Sequence, residues 1–381
     1  MKLCVYAICK NEKKFVDKWL NNMSEADYIV VLDTGSTDGT YEILQADPRV
    51  TRVEQLIIDP WRFDVARNES MKLVPEDADI LVCTDFDELF NKGWVKNVKE
   101  AWNKSPNINR LKYPYAWSHN NLGEPTDIFM YDKIHSKDYY WIYPVHEVLM
   151  YKSGDENDPN IKISQVKDTN KIFLQHYEDK TKDKNYYFDL LKLSVEENPE
   201  DVHVHSLLAR EYLLNKDYDN ALALYTETLQ MPQIDNPNRK EILLECLGRC
   251  AQIYCIKEEY NTAMWYCHEW IKEDPTYREP YFMLAEIFNT LKMYTLALAM
   301  VETGLKFSTR KYSWVERAGI WEYASDSILS VTYWGLKDYD KAIIHSQRVL
   351  KYLPTDPIQL RNYASFLECA LKKTQSKLKD N

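Results

Sequence analysis

The sequence predicts an α/β front half built on a mostly parallel sheet, followed by an all-α half made of repeated helix pairs. Three observations carry this. Short apolar runs alternate with helical stretches before residue 180, polar clusters fall just after those runs, and small and aromatic residues recur in phase after residue 180. A length of 381 residues suits two domains, and 45% apolar content lets each bury a core. The expected division is 1–180 and 181–381.

In the front half, residues 5–8, 28–32, 50–58 and 80–83 read as buried strands. Residues 12–23 lie between the first two and place Phe15, Trp19 and Leu20 on one helical face. Strand–helix–strand alternation implies parallel strands with ligands at their carboxyl ends. The polar clusters fall there: Lys10-Asn11-Glu12, the turn starting at Asp33, and the stretch Thr84–Glu88. From 105 to 180 the chain turns aromatic. The runs 110–117, 126–135, 139–150 and 171–176 read as an antiparallel edge with acceptor-side loops.

Beyond 180, four units align on Ala221, Ala263, Ala297 and Ala342. Twelve residues earlier stand Ala209, Ala251, Ala285 and Ser330; nine earlier stand Tyr212, Tyr254, Phe288 and Tyr333. Small residues let paired helices approach, and the aromatic fills the gap between units. Residues 233–240 read as an insertion, Pro275 and Pro354 as unit ends, and 357–373 as a capping helix. The pattern resembles the tetratricopeptide repeat.

Net charge is −11, with no basic stripe, which argues against nucleic acid or an anionic membrane as partner. Eight scattered cysteines without C-x-x-C spacing suggest a reducing, cytoplasmic setting. No apolar run nears the roughly 18–20 residues that span a bilayer, and the first residues read as a strand rather than a signal peptide.

Five motifs carry chemistry. Asp33-Thr34-Gly35-Ser36-Thr37-Asp38-Gly39-Thr40 follows a strand; its glycines permit a tight turn and its first carboxylate can accept hydrogen bonds. Asp64-Val65-Ala66-Arg67-Asn68 offers a guanidinium able to grip phosphate. Asp85-Phe86-Asp87 is a D-x-D motif; read as strand, its two carboxylates point the same way, toward a divalent cation. Val145-His146-Glu147 offers a carboxylate base. Gln175-His176-Tyr177 offers an imidazole that can complete an oxygen-rich metal site. Trp61, Trp117 and Trp141 either stack on sugars or pack.

In this order, the motifs resemble the family 2 glycosyltransferases of GT-A fold, in the bacterial branch with C-terminal tetratricopeptide repeats. Peptide S-glycosyltransferases of the sublancin type are similar. The resemblance implies an α/β GT-A (Rossmann-like) nucleotide-sugar domain followed by an all-α repeat domain. It implies an inverting hexosyltransferase that uses a nucleotide-sugar, most commonly a UDP-sugar, with Mn2+ or Mg2+. By resemblance, Asp33 meets the nucleobase, and Ile8, Glu12, Arg67, Asp85 and Phe86 complete the donor site. Asp87, with Asp85 and His176, holds the metal, and Glu147 is the base with His146 beside it. Two departures stand out: His-Glu where many relatives carry Glu-Asp, and Glu178 where relatives carry glycine after His-Tyr.

Repeat arrays hold peptides on concave surfaces, so a peptide or protein acceptor is expected. A cell-envelope or capsular glycan is the alternative acceptor, and a catalytically inactive scaffold the alternative class. The chain is compatible with a homodimer.

Overall fold

The computed structural model describes residues 1–120, 122–179, 186–236, 239–317 and 319–379, with side chains through 375. Packing divides them into two units, Met1–Ser118 with Ile128–Asn198, and His119–Asp127 with Pro199–Asn381. The 180/181 boundary and part of the 233–240 insertion lie outside the described residues.

The first unit holds a nine-stranded mixed sheet. Its elements in chain order are β1 (Leu3–Cys9), α1 (Lys13–Met23), β2 (Tyr28–Asp33), α2 (Thr40–Ala46), β3 (Arg52–Gln55), α3 (Phe63–Met71), β4 (Ile80–Cys83) and β5 (Glu88–Phe90). There follow α4 (Trp94–Lys104), β6 (Arg110–Ala116), β7 (Ile128–His135), β8 (Tyr139–Ile142), β9 (Val148–Tyr151), β10 (Ile163–Gln165), β11 (Leu174–His176) and α5 (Tyr186–Glu197). The strand order is β3-β2-β1-β4-β7-β6-β11-β5, with β10 also on β6. The β3-β2-β1-β4 half is parallel, and β7 reverses against both β4 and β6.

Central position explains the composition of β1. Every residue is buried, so neither face needs polar side chains. Leu3, Val5 and Ala7 join the core beneath α1, whose Val16, Trp19, Leu20 and Met23 form one buried stripe. Each such side chain contributes about 1.5–3 kcal/mol by leaving water. Cys4, Tyr6 and Ile8 face the other way, onto Ala66 of α3 and Trp141 of β8.

One expectation needs correction. The run 139–150 is not one strand at the sheet's edge. It is a hairpin, β8–β9, forming its own two-stranded sheet, because Tyr143 and His146 take left-handed backbone and break the strand. The strands β5 and β10 escaped notice, having only three residues each. The helix α5 packs within the same unit: Phe63 lies against Tyr186 and Tyr187, and Arg62 pairs with Glu197 at 2.6 Å.

The helical unit follows the repeat. Its pairs are α6 (Val202–Leu214) with α7 (Tyr218–Thr228), α8 (Lys240–Ile256) with α9 (Tyr260–Glu273), α10 (Glu279–Thr290) with α11 (Tyr294–Leu305), and α12 (Ala324–Gly335) with α13 (Tyr339–Tyr352). The helix α14 (Pro357–Lys379) closes the row. All eight small residues of the sequence pattern are buried where paired helices meet. Each pair turns through one left-handed residue: Lys216, Glu258, Lys292 and Lys337. Each turn closes on the carbonyl of the pattern aromatic, as Asp217 N–H to Tyr212, Glu259 to Tyr254, Met293 to Phe288 and Asp338 to Tyr333, all at 2.7–2.9 Å.

Candidate active site

The site gathers where β1, β2 and β4 end. After β2, the Asp33 Oδ1 accepts from the Gly35 and Ser36 N–H groups and from Gln55 Nε2 at 2.8–2.9 Å. Burial would raise this carboxyl, but those hydrogen bonds prevail and hold it below the usual carboxylate value. Gly35 (φ 104°) and Gly39 (φ 93°) supply the turn that side chains resist. The loop after β1 is stitched to it: Asn11 Oδ1 accepts from Thr37 N–H at 2.8 Å, and Glu12 N–H donates to Thr40 at 2.9 Å.

Asp85 and Asp87 lie in a turn between β4 and β5, closed by Glu88 N–H to the Asp85 carbonyl at 3.1 Å. They therefore do not point the same way, as strand residues would. Asp85 meets Arg67 and Lys133; Asp87 meets His176. Phe86, between them, stacks on Trp19 in the core with ring centres 4.2 Å apart. The side chains of Phe86 and Ile8 thus belong to the core, and only their backbones are left for a donor.

Arg67 links the cluster. Its Nη2 reaches both Asp85 oxygens at 3.0 and 3.2 Å, its Nη1 reaches Cys83 Sγ at 3.1 Å, and its Nε donates to Glu147 Oε1. Burial works against this charge, but Asp85 and Glu147 outweigh it and hold the guanidinium firmly protonated. Burial likewise opposes ionisation of Asp85, yet Arg67 and Lys133 pull its carboxyl far below the ordinary value. Lys133 Nζ stands 3.2 Å from Asp85 Oδ2 and 3.7 Å from Glu88 Oε1. Glu88, buried, accepts from Asp85 N–H and Tyr115 Oη at 3.0 Å each, and its burial raises its carboxyl.

Lys133 escaped the sequence reading, although a lysine inside the strand run 126–135 was its signal. A lysine there must find partners or shed its charge. Asn68 escaped too. Its side chain holds Trp141 by both backbone groups, Nδ2 to the carbonyl and Oδ1 from the N–H, at 2.8 Å each. It thereby fixes the hairpin that carries His146 and Glu147. Trp141 Nε1 also donates to Tyr6 Oη at 2.9 Å, and Tyr6 donates to His135 Nε2 at 2.6 Å. His146 itself is exposed, its ring edge-on to Tyr187.

A second group forms where β11 pairs antiparallel with β5. His176 Nδ1–H donates to the Trp117 carbonyl at 3.1 Å, and its ring stacks on Trp117. Its Nε2 then faces Asp87 Oδ2 at 3.5 Å. Burial would lower this imidazole's pKa, but Asp87 raises it. A ring nitrogen anchored to a carbonyl, with the other aimed at a carboxylate, is the donor arrangement of a histidine metal ligand. Among the described residues no group of three or more His, Cys, Asp or Glu side chains could hold a metal. The Asp87–His176 pair offers one carboxylate and one imidazole as donors.

Residues 4–155 match the family model described as Glycosyl transferase family 2. The match runs along the front of the chain, from β1 past β9. No curated relative matches the chain significantly. Solved structures similar to it include a tetratricopeptide repeat protein from Parabacteroides merdae, at 15% identity over 50% of this chain and 68% of that one, with a TM-score of 0.37. A thermophilic TPR protein of Thermus thermophilus shares 18% identity over 47% of this chain and 88% of that one, with a TM-score of 0.36. Among the described residues no helix is long and apolar enough to cross a membrane.

Proposed function

We propose that the chain is an inverting, metal-dependent glycosyltransferase that moves a hexose from a UDP-sugar to a peptide or protein acceptor, in the cytoplasm. The observation that carries this reading is the joining of the D-x-D turn to Glu147 by one buried arginine, beside the Asp87–His176 pair. A donor-side carboxylate and a base candidate thus share one site at the strand ends.

In this reading Asp87 and His176 hold Mn2+ or Mg2+, which when bound neutralises the charge of the donor diphosphate. Asp33 and its turn take the nucleobase side. Glu147 accepts the acceptor's proton as the acceptor atom bonds to the anomeric carbon. The bond from that carbon to the diphosphate breaks on the opposite face, and the nucleotide leaves with the electron pair, so configuration inverts. The helix pairs supply the surface for a peptide.

The test is a screen of nucleotide-sugars by nucleotide release, with manganese and with chelator, followed by mass spectrometry of peptide and glycan acceptors. Metal-dependent release with an inverted glycopeptide product is expected. A retained configuration or full activity in excess chelator overturns the reading, and a glycan product overturns its acceptor.

A further inference from the structure

We propose that Arg67 is a positioning residue that ties the base Glu147 to the donor-side carboxylate Asp85, and is not a ligand of the diphosphate. This rests on the reading of Glu147 as base.

The first ground is the inventory of donors. A guanidinium has five N–H groups on three nitrogens. All three nitrogens of Arg67 are engaged, by Glu147, Cys83 and both oxygens of Asp85. Its charged carbon also lies 5.4 Å from the centre of the Trp141 ring. The side chain is only 4% exposed. Gripping a phosphate takes a free fork facing the ligand, and the fork here is spent on protein.

The second ground is which member faces outward. Arg67, Lys133 and Glu88 have side chains at most 5% exposed, and that of Glu147 is 10% exposed, whereas that of Asp85 is 35% exposed. A donor arriving at the strand ends meets Asp85, and Arg67 stands behind it. Lys133 holds the other side of the same carboxylate. Asp85 is therefore gripped from within by two cations, and one of them also holds the base.

The third ground is the hairpin loop. Left-handed Tyr143 (φ 73°) and His146 (φ 52°) shape the loop between β8 and β9 that carries Glu147. Two consecutive residues of α3 hold this hairpin, Asn68 at the backbone of Trp141 and Arg67 at the carboxylate of Glu147. Arg67 takes Oε1, and the described residues give Oε2 no hydrogen bond. One oxygen is thus fixed and the other is left for the acceptor's proton.

Arg67→Lys separates this from diphosphate binding, because one ammonium keeps the charge but cannot fork between two carboxylates. Affinity for UDP with Mn2+ is measured by calorimetry. Turnover is measured as UDP release from whichever of UDP-glucose, UDP-galactose and UDP-N-acetylglucosamine the wild type uses. The expected result is UDP affinity within about threefold of wild type, kcat lower by at least about 30-fold, and little further loss when Arg67→Lys is added to Glu147→Gln, since residues acting as one unit are non-additive. UDP binding weakened more than about tenfold, or losses that multiply in the double variant, overturns the proposal. If Arg67→Lys does not fold, Glu147→Asp replaces it, because it keeps the charge but draws the carboxylate back from Nε. Wild-type UDP affinity with kcat down at least about tenfold supports the bridge, and wild-type kcat overturns it. A wild-type protein that neither binds UDP nor releases it brings down the glycosyltransferase reading itself, a result distinct from either.

Discussion

Lys216, Glu258, Lys292 and Lys337 do the same thing in four places of the helical unit: each turns the chain left-handed between paired helices. Arg67 has no such counterpart in the sheet unit, where one side chain serves Asp85, Cys83 and Glu147 together. The helical unit spreads one simple contact over repeats, so a change at one turn stays local. The sheet unit concentrates several contacts on single residues, so a change there reaches every partner. Redundancy and concentration predict different sizes of effect, and substitutions can measure both.

The largest effect is expected at Asp87. Asp87→Ala removes the carboxylate that faces His176 and should abolish turnover without unfolding the chain. Retained turnover, by nucleotide release, would mean that the metal reading of this pair is wrong. Next comes Glu147→Gln, which keeps shape but removes basicity. It should cut turnover at least about 100-fold on a hydroxyl acceptor while donor affinity changes little, as loss of a general base does.

The third effect is on stability. Burial lowers the pKa of His135 to about 3, against 6.5 when unfolded, so the folded state keeps the ring neutral. A depressed folded pKa gives stability that is complete above the unfolded value and is lost as pH falls from about 6.5 toward 3. By pH 5 the loss from this group should be about 2 kcal/mol, and His135→Asn should flatten that part of a stability–pH curve from denaturant unfolding.

Within the helices, Gly248→Ala would set a Cβ 2.4 Å from Trp270, a buried ring with no room to yield. The expected cost is about 1–3 kcal/mol in thermal unfolding, with UDP affinity unchanged. The smallest effect is a gain: Lys292→Gly relieves a left-handed turn at the cost of unfolded-chain entropy, netting a few tenths to about 1 kcal/mol. A helical-unit change that altered UDP affinity would break the contrast between the two units.

The same contrast explains what could be read from sequence. Ala209, Ala251, Ala285 and Ser330 were legible because four copies reinforce one another, and so were the strands β1, β2 and β4, which are long or wholly apolar. The D-x-D turn was legible as a motif but not as geometry. The strand ends at Cys83, and the turn sends Asp85 and Asp87 to different partners. The partners themselves come from distant strands: Lys133 from β7, His176 from β11. Pairing across a sheet is invisible to periodicity, which reports one element at a time. Only His176 was foreseen, from its resemblance to a family motif. Asn68 was part of a quoted motif, yet its clamp on Trp141 depends on where the hairpin lands, which no local signal tells.

The pairing of β5 with β11 has a consequence for the order in which the chain matures. Asp87 and His176 are 89 positions apart (176 − 87), and β11 sits between β5 and β6, as the register of both neighbours shows. On a growing chain, β1 to β4 can begin to associate long before residue 176 has emerged, but the Asp87–His176 pair cannot exist until it has. Contacts so distant in sequence close slowly, whereas each helix pair needs only its own few dozen residues. A chain released before residue 176 would therefore hold the parallel part of the sheet and lack the contact between Asp87 and His176.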